Sequence, residues 1–310
     1  MRGGWRGRAA AGLAAALAGS LLAGGCASSL ALGSDGRIVA VGAENQYADV
    51  IQQVGGKYVQ ASAIMSNPNS DPHTFEASAA TGRLVNASRL VVQNGLGYDA
   101  FMDTLEDAVP DSGRHVIVVQ KLLGLPDSTP NPHLWYKPGV MATVAQAVAT
   151  ELAAIQPGHA SYFKANAAAF SRSLAQWTGA LAALKASYPG TPVATTEPVA
   201  DYLLAAAGAD NRTPWAFQAD VMNGTDPSAQ DVAVERRLFE KHEVTAFVYN
   251  QQVTDSLTES FIALARANHI PVMGVYETMP EPGYRYQSWM LAEVRALHNA
   301  VADHVSSEHL

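Results

Sequence analysis

Residues 37–65, RIVAVGAENQYADVIQQVGGKYVQASAIM, hold the unit that decides the fold. Arg37-Ile38-Val39-Ala40-Val41 is a short apolar run, the pattern of a buried strand. Tyr47, Val50, Ile51 and Val54 then mark a helix, and Gly55-Gly56 stops it. Residues 59–65 form a second strand. Strands that alternate with helices build parallel sheet from βαβ units.

Outward from this unit the alternation continues. Leu90-Val91-Val92-Gln93 and Val116-Ile117-Val118-Val119 are further buried strands, with a helical pattern around Phe101 and Leu105 between them. Residues 140–155 are helical, with Val144, Val148 and Leu152 on one face, and Pro157-Gly158 breaks the pattern. One long helix is expected from residue 161 to 188, carrying Phe163, Phe170, Leu174, Trp177, Leu181 and Leu184. At ~1.5 Å per residue it would be about 40 Å long, enough to run along a whole two-lobed molecule. The alternation then restarts. Strands are expected at 192–196, 246–249 and 271–275, with helices at 199–207, 233–241, 257–267 and 286–305. The expected fold class is α/β, with two lobes joined by one long backbone helix. Each lobe is a small, mostly parallel sheet flanked by helices. The divisions are an N-terminal lobe at 37–157, a linking helix at 158–189 and a C-terminal lobe at 190–310.

The composition agrees with this reading and excludes others. A chain of 310 residues is long enough for two lobes, and 48% hydrophobic with 15% charged residues suits a packed core. The net charge of -8 argues against nucleic acid as a partner, since phosphate binding needs a basic face.

The N-terminus has the layout of a secretory signal. Arg2, Arg6 and Arg8 precede an apolar stretch at 9–22, too short for a membrane span. Leu22-Ala23-Gly24-Gly25-Cys26 resembles a bacterial lipoprotein signal. On that reading residues 1–25 are a signal peptide, Cys26 carries the lipid, and 26–36 is a tether. Cys26 is the only cysteine, so no internal disulfide can form. No later stretch is long and apolar enough to span a membrane.

Four side chains stand out by their place, and three of them lie where ligands bind in such folds, outside the carboxyl ends of parallel strands. His73 lies in Asn67-Pro68-Asn69-Ser70-Asp71-Pro72-His73-Thr74-Phe75, a loop after a strand. His133 lies in Asn131-Pro132-His133-Leu134-Trp135, a loop before a helix. Glu197 ends the strand Pro192-Val193-Ala194-Thr195-Thr196, and Glu277 lies just past the strand at 271–275. Each lobe supplies two, so a cleft between lobes would bring them together. Imidazole suits zinc, iron and manganese, and carboxylate favours harder cations. The prolines before His73 and His133 stiffen both loops. Each residue also has an ordinary reading: a solvated histidine, a helix cap at Glu197, a turn residue at Glu277.

These motifs resemble the substrate-binding proteins of bacterial ABC importers for zinc and manganese, a family that includes streptococcal lipoproteins once called adhesins. The resemblance runs from about Arg37 to the C-terminus. It rests on Asp71-Pro72-His73-Thr74-Phe75-Glu76, on Leu90-Val91-Val92-Gln93-Asn94-Gly95 and on Asn131-Pro132-His133-Leu134-Trp135. It implies metal ligands at His73, His133, Glu197 and Glu277, with glutamate at 277 where the family often has aspartate. It implies a transported divalent metal, zinc or manganese with iron possible, held in the inter-lobe cleft. The implied partners are an ABC permease with its ATPase subunit and, through lipidated Cys26, the membrane; the protein itself is expected as a monomer. The place would be the outer face of the cytoplasmic membrane, or the periplasm. Four protein ligands would close the site, which favours a binding protein over an enzyme. Alternative functions are a secreted metal-dependent hydrolase and a surface adhesin.

Overall fold

The computed structural model describes residues 35–67, 75–280 and 283–310. Cys26 and His73 lie outside the described residues. The first lobe runs β1 (Ile38–Glu44), α1 (Asn45–Gly55), β2 (Val59–Met65), α2 (Ala79–Ala87), β3 (Leu90–Gln93), α3 (Phe101–Ala108), β4 (His115–Val118), α4 (Val119–Leu122) and α5 (Val140–Ile155). Two helices follow, α6 (Ala160–Ser173) and α7 (Ala175–Ser187). The second lobe holds β5 (Pro192–Thr195), α8 (Asp201–Ala206), β6 (Asp210–Asn211), α9 (Trp215–Met222), α10 (Ala229–Glu240), β7 (Ala246–Asn250), α11 (Ser256–Ala267), β8 (Val272–Val275) and α12 (Tyr286–His298).

The two sheets have the same topology. Their strand orders are β2-β1-β3-β4 and β6-β5-β7-β8, and every named pair is parallel. In each sheet the order reverses once, between β1 and β3 and between β5 and β7. The strand ends flanking such a switch point leave a crevice for a ligand.

β1 runs three residues further than the sequence suggests and passes directly into α1. Gly42 makes this possible, because a Cβ there would stand 2.3 Å from the backbone nitrogen of Ala48. The first turn of α1 therefore packs onto the end of its own strand.

The expected single linking helix is interrupted. A 3-10 turn at Pro157–His159 precedes α6, and α6 gives way to α7 at Leu174. Leu174 keeps right-handed geometry, with φ -75 and ψ -8, and Thr178 N still donates to Leu174 O at 3.0 Å. Hydroxyls explain the break. Ser173 Oγ donates to Phe170 O at 2.7 Å and Thr178 Oγ1 to Leu174 O at 3.3 Å, and such back-bonding bends helices.

One apolar core runs through both lobes. It joins Ile38 and Leu90 of the first sheet to Val193 and Val248 of the second through Phe163, Trp177 and Trp289. The last helix is part of this join. Tyr286 Oη donates to Trp135 O at 2.5 Å, and Tyr286 N donates to Asp49 Oδ2 at 2.8 Å. α12 ends at His298 and a π turn covers Asn299–Asp303, where sequence periodicity suggests helix to residue 305.

Candidate metal centre

His133 is fully buried, in the segment between α4 and α5. Asn131 holds it twice: Oδ1 accepts from the His133 backbone nitrogen at 2.9 Å and faces Nδ1 at 2.8 Å. Asn131 Nδ2 donates to Pro198 O in the other lobe at 2.7 Å, which fixes the amide's orientation. Nδ1 must therefore carry the imidazole proton, and Nε2 presents its lone pair. Among the described residues Nε2 has no hydrogen-bond partner, and it lies 3.5 Å from Glu277 Oε2. The rings of Tyr98 and Trp135 stand edge-on around the imidazole at 5.8 and 5.4 Å.

The two glutamates follow strand ends of the second sheet. Glu197 lies two residues beyond β5 and Glu277 two beyond β8, and both are buried. Asn250, the last residue of β7, stands between them. Its Nδ2 donates to Glu277 Oε1 at 2.6 Å and to Glu197 Oε1 at 3.2 Å. Asn250 Oδ1 accepts from Gln252 N at 3.0 Å, so the amide has one orientation. Glu277 Oε2 accepts from Tyr98 Oη of the first lobe at 2.9 Å. Burial, and next the charge of Glu277, push the Tyr98 phenol well above its ordinary range, so it stays a donor.

The backbone around Glu277 is held as firmly. Gln252 Oε1 accepts from Glu277 N at 2.7 Å and Thr278 N at 2.9 Å. Gln46 Nε2 donates to Glu277 O at 3.1 Å from the start of α1.

Other carboxyls surround this group. Glu44, at the end of β1, is fully buried and neither oxygen has a hydrogen-bond partner among the described residues. Burial, then the charges of Asp99 and Glu277, push its carboxyl well above the usual range. Asp99 is raised to about 6 by burial, against the pull of the backbone N–H groups of Gly95 and Asn94 that it accepts. Asp201 is raised by burial, while Gln218, Asn211 and the nearby His133 lower it.

Of the four residues expected from sequence, the structure sets His133 Nε2 3.5 Å from Glu277 Oε2 and links Glu277 to Glu197 through the Asn250 amide. The fourth, His73, lies outside the described residues, and among the described residues no three of His, Cys, Asp or Glu converge tightly enough to hold an ion. Sequence reasoning missed Asn250, Tyr98, Asn131 and Gln252. Asn250 had a signal, since it ends β7 at the switch point, beside the end of β5 that Glu197 follows. Tyr98 and Asn131 act through contacts between lobes, and Gln252 through the backbone of Glu277, 25 residues away in its own lobe.

The fold defines a class: a two-lobed α/β protein whose buried polar side chains gather where the strand ends of its two sheets meet. Within that class, the chain belongs to the family described as ZnuA, zinc-uptake complex component A, periplasmic, whose model matches residues 41–300. A curated relative is the manganese-binding lipoprotein MntA of Bacillus subtilis, 23% identical over 147 residues. That match covers 46% of this chain and 48% of MntA, so the chain spans about half the length of the curated relative. Among solved structures, the periplasmic zinc-binding protein TroA from Treponema pallidum superposes with a TM-score of 0.73 at 18% identity, over 87% of this chain and 100% of TroA. A mutant of the laminin-binding adhesin Lmb from Streptococcus agalactiae gives 0.71 at 18% identity, over 85% of this chain and 99% of Lmb. At these identities the likeness is one of fold.

Proposed function

We propose that this chain is the extracytoplasmic substrate-binding component of an ABC importer. It captures a divalent transition metal ion between its lobes and delivers it to a membrane permease driven by an ATPase subunit. The observation that carries the reading is the buried pair from opposite lobes, His133 Nε2 and Glu277 Oε2, at 3.5 Å. A buried imidazole whose lone pair faces a buried carboxylate is costly until a proton or a metal ion lies between them, and a metal ion is what such a pair holds in a binding protein. Glu197 joins through Asn250, and His73 completes the proposed ligand set.

Two imidazoles and two carboxylates neutralise a divalent charge and suit zinc, manganese or iron. MntA is named for manganese and TroA for zinc, so the relatives support both. The family is one of metal-transport components and not an enzyme family, and we assign this chain no catalysis. Residues 1–25 act as the signal peptide, Cys26 takes the lipid, and 26–36 tether a monomer to the outer face of the cytoplasmic membrane or in the periplasm. The lobes are 37–157 and 190–310, with 158–189 linking them.

Protein stripped by chelator and titrated with zinc or manganese tests this reading. One ion should bind per chain, and melting should shift upward, since a ligand at a thousandfold excess over Kd stabilises by about 4 kcal/mol. No shift with any first-row divalent ion would end the proposal.

A further inference from the structure

The two sheets share one topology, but their equivalent outer edges differ. β8 ends the second sheet, and the chain's own C-terminus covers its outer side. Ser307 N donates to Val272 O at 2.9 Å and Gly274 N donates to Ser307 O at 3.0 Å, so Ser307 bridges Met273 in parallel. Arg266 and Glu308 pair beside this join.

β4 ends the first sheet, and among the described residues no segment pairs with its outer side. His115 N bonds inward to Arg89 O at 2.8 Å. Strand alternation therefore turns the backbone N–H groups of Val116 and Val118 outward. The Val116 side chain is exposed. Such an edge is a template for an added strand.

A groove of about 570 Å³ runs along this edge. Met102 and Leu105 of α3 pack with Val91, while Val144 and Val148 of α5 pack with Leu90 and Val92. The two helices therefore cover opposite faces of the sheet and wall the groove on either side. Asp103 and Glu106 of α3 and Glu151 of α5 line it, with Lys121 as the cation among its lining residues. Two buried acceptors in this lining are unanswered. Gln93 is only 4% exposed, and its Nε2 donates to Asp103 Oδ1 at 3.1 Å, which leaves Oε1 without a partner among the described residues. Glu106 Oε1 is unpartnered in the same way. Glu151 Oε2 is already met by His115 Nδ1 at 2.5 Å. Unanswered acceptors beside acidic groups fit N–H donors that carry positive charge.

We propose that β4 is a strand-addition site for an extended segment of a partner protein, with an arginine or lysine of that segment seated in the acidic groove between α3 and α5. The C-terminus on β8 shows how an extended segment lies on such an edge, and main-chain bonds with side-chain pockets are the usual basis of this recognition. The charge excludes this chain's own ends and those of a second copy, because neither 26–36 nor 299–310 contains a lysine or arginine. The site is remote from the proposed metal ligands, and the inference does not depend on the metal reading.

The test pans random heptapeptides displayed on phage against the full chain, then titrates the selected peptides in synthetic form. They should carry arginine or lysine among β-branched residues. Val116→Pro removes one outward N–H and leaves the ladder to β3 intact, and it should weaken their binding by about tenfold or more. Glu106→Lys puts like charge in the groove and should do the same. If Val116→Pro loses cooperative melting, Glu106→Lys decides alone. Recovery of no binding peptide, peptides without basic residues, or equal binding to parent and variants overturns the proposal. A parent dimer that Val116→Pro makes monomeric would show a second copy as the occupant, and also overturns it.

Discussion

Asn45 and Met279, one from each lobe, exchange a reciprocal pair of hydrogen bonds: Nδ2 to Met279 O at 2.9 Å and Met279 N to Oδ1 at 2.8 Å. The side-chain amide imitates a strand partner and fixes the segment that carries Glu277. Both residues are buried. Asn45→Ala would leave a buried N–H and a buried C=O unpaired, at about 1 to 3 kcal/mol each. Urea unfolding should show a loss of about 2 to 6 kcal/mol. A loss below about 0.5 kcal/mol, the scale of an ordinary surface substitution, would contradict the clamp.

Asn131 sets the tautomer of His133 without being a proposed ligand. Asn131→Ala removes both the acceptor for Nδ1 and the tie to Pro198. Outer partners of metal-binding histidines are commonly worth about 10- to 100-fold in affinity. Competition with a chromophoric chelator should find zinc binding weakened by that amount. Unchanged affinity would mean that His133 is oriented by something else, or does not bind.

Much of the architecture is legible in sequence because each lobe is built from local βαβ periodicity. β2 and β3 fall where Val59 to Met65 and Leu90 to Gln93 indicate them. β6 escapes because two residues, Asp210 and Asn211, carry no apolar pattern. α9 escapes because its polarity does not follow its burial: Gln218 is buried beside Phe217, Val221 and Met222, while the apolar Trp215 is exposed. The break at Leu174 is invisible to hydrophobic spacing, since Leu174 itself fits the apolar stripe. At the site, His133, Glu197 and Glu277 are legible as chemistry at strand ends and loops. Tyr98 and Asn45 are not, because their partners lie 179 and 234 residues away.

Glu293 gives a pH signature. It is fully buried in α12, where Trp289 Nε1 and Tyr136 Oη donate to it, and burial raises its carboxyl from 4.5 to about 8. Between about pH 5 and 8 the unfolded chain has lost this proton and the folded chain keeps it. Stability must therefore fall as pH rises through that window, by up to about 1.4 kcal/mol per pH unit for one group. Glu293→Gln should remove this slope, while Glu235, also raised to about 8 by burial, keeps its own. Urea unfolding at pH 5.5, 6.5 and 7.5 should show the variant gaining on the parent at each step. A constant difference across the series would contradict the assignment.

The central claim is that one divalent metal ion sits between the lobes on side chains from both. Anomalous diffraction at the zinc edge, from crystals of chelator-stripped protein given one equivalent of zinc, tests it most directly. The account predicts a single peak about 2.0 to 2.2 Å from His133 Nε2 and from one oxygen each of Glu197 and Glu277, with His73 as the fourth ligand. A peak bound elsewhere on the chain, or a site lacking His133 and Glu277, would contradict it.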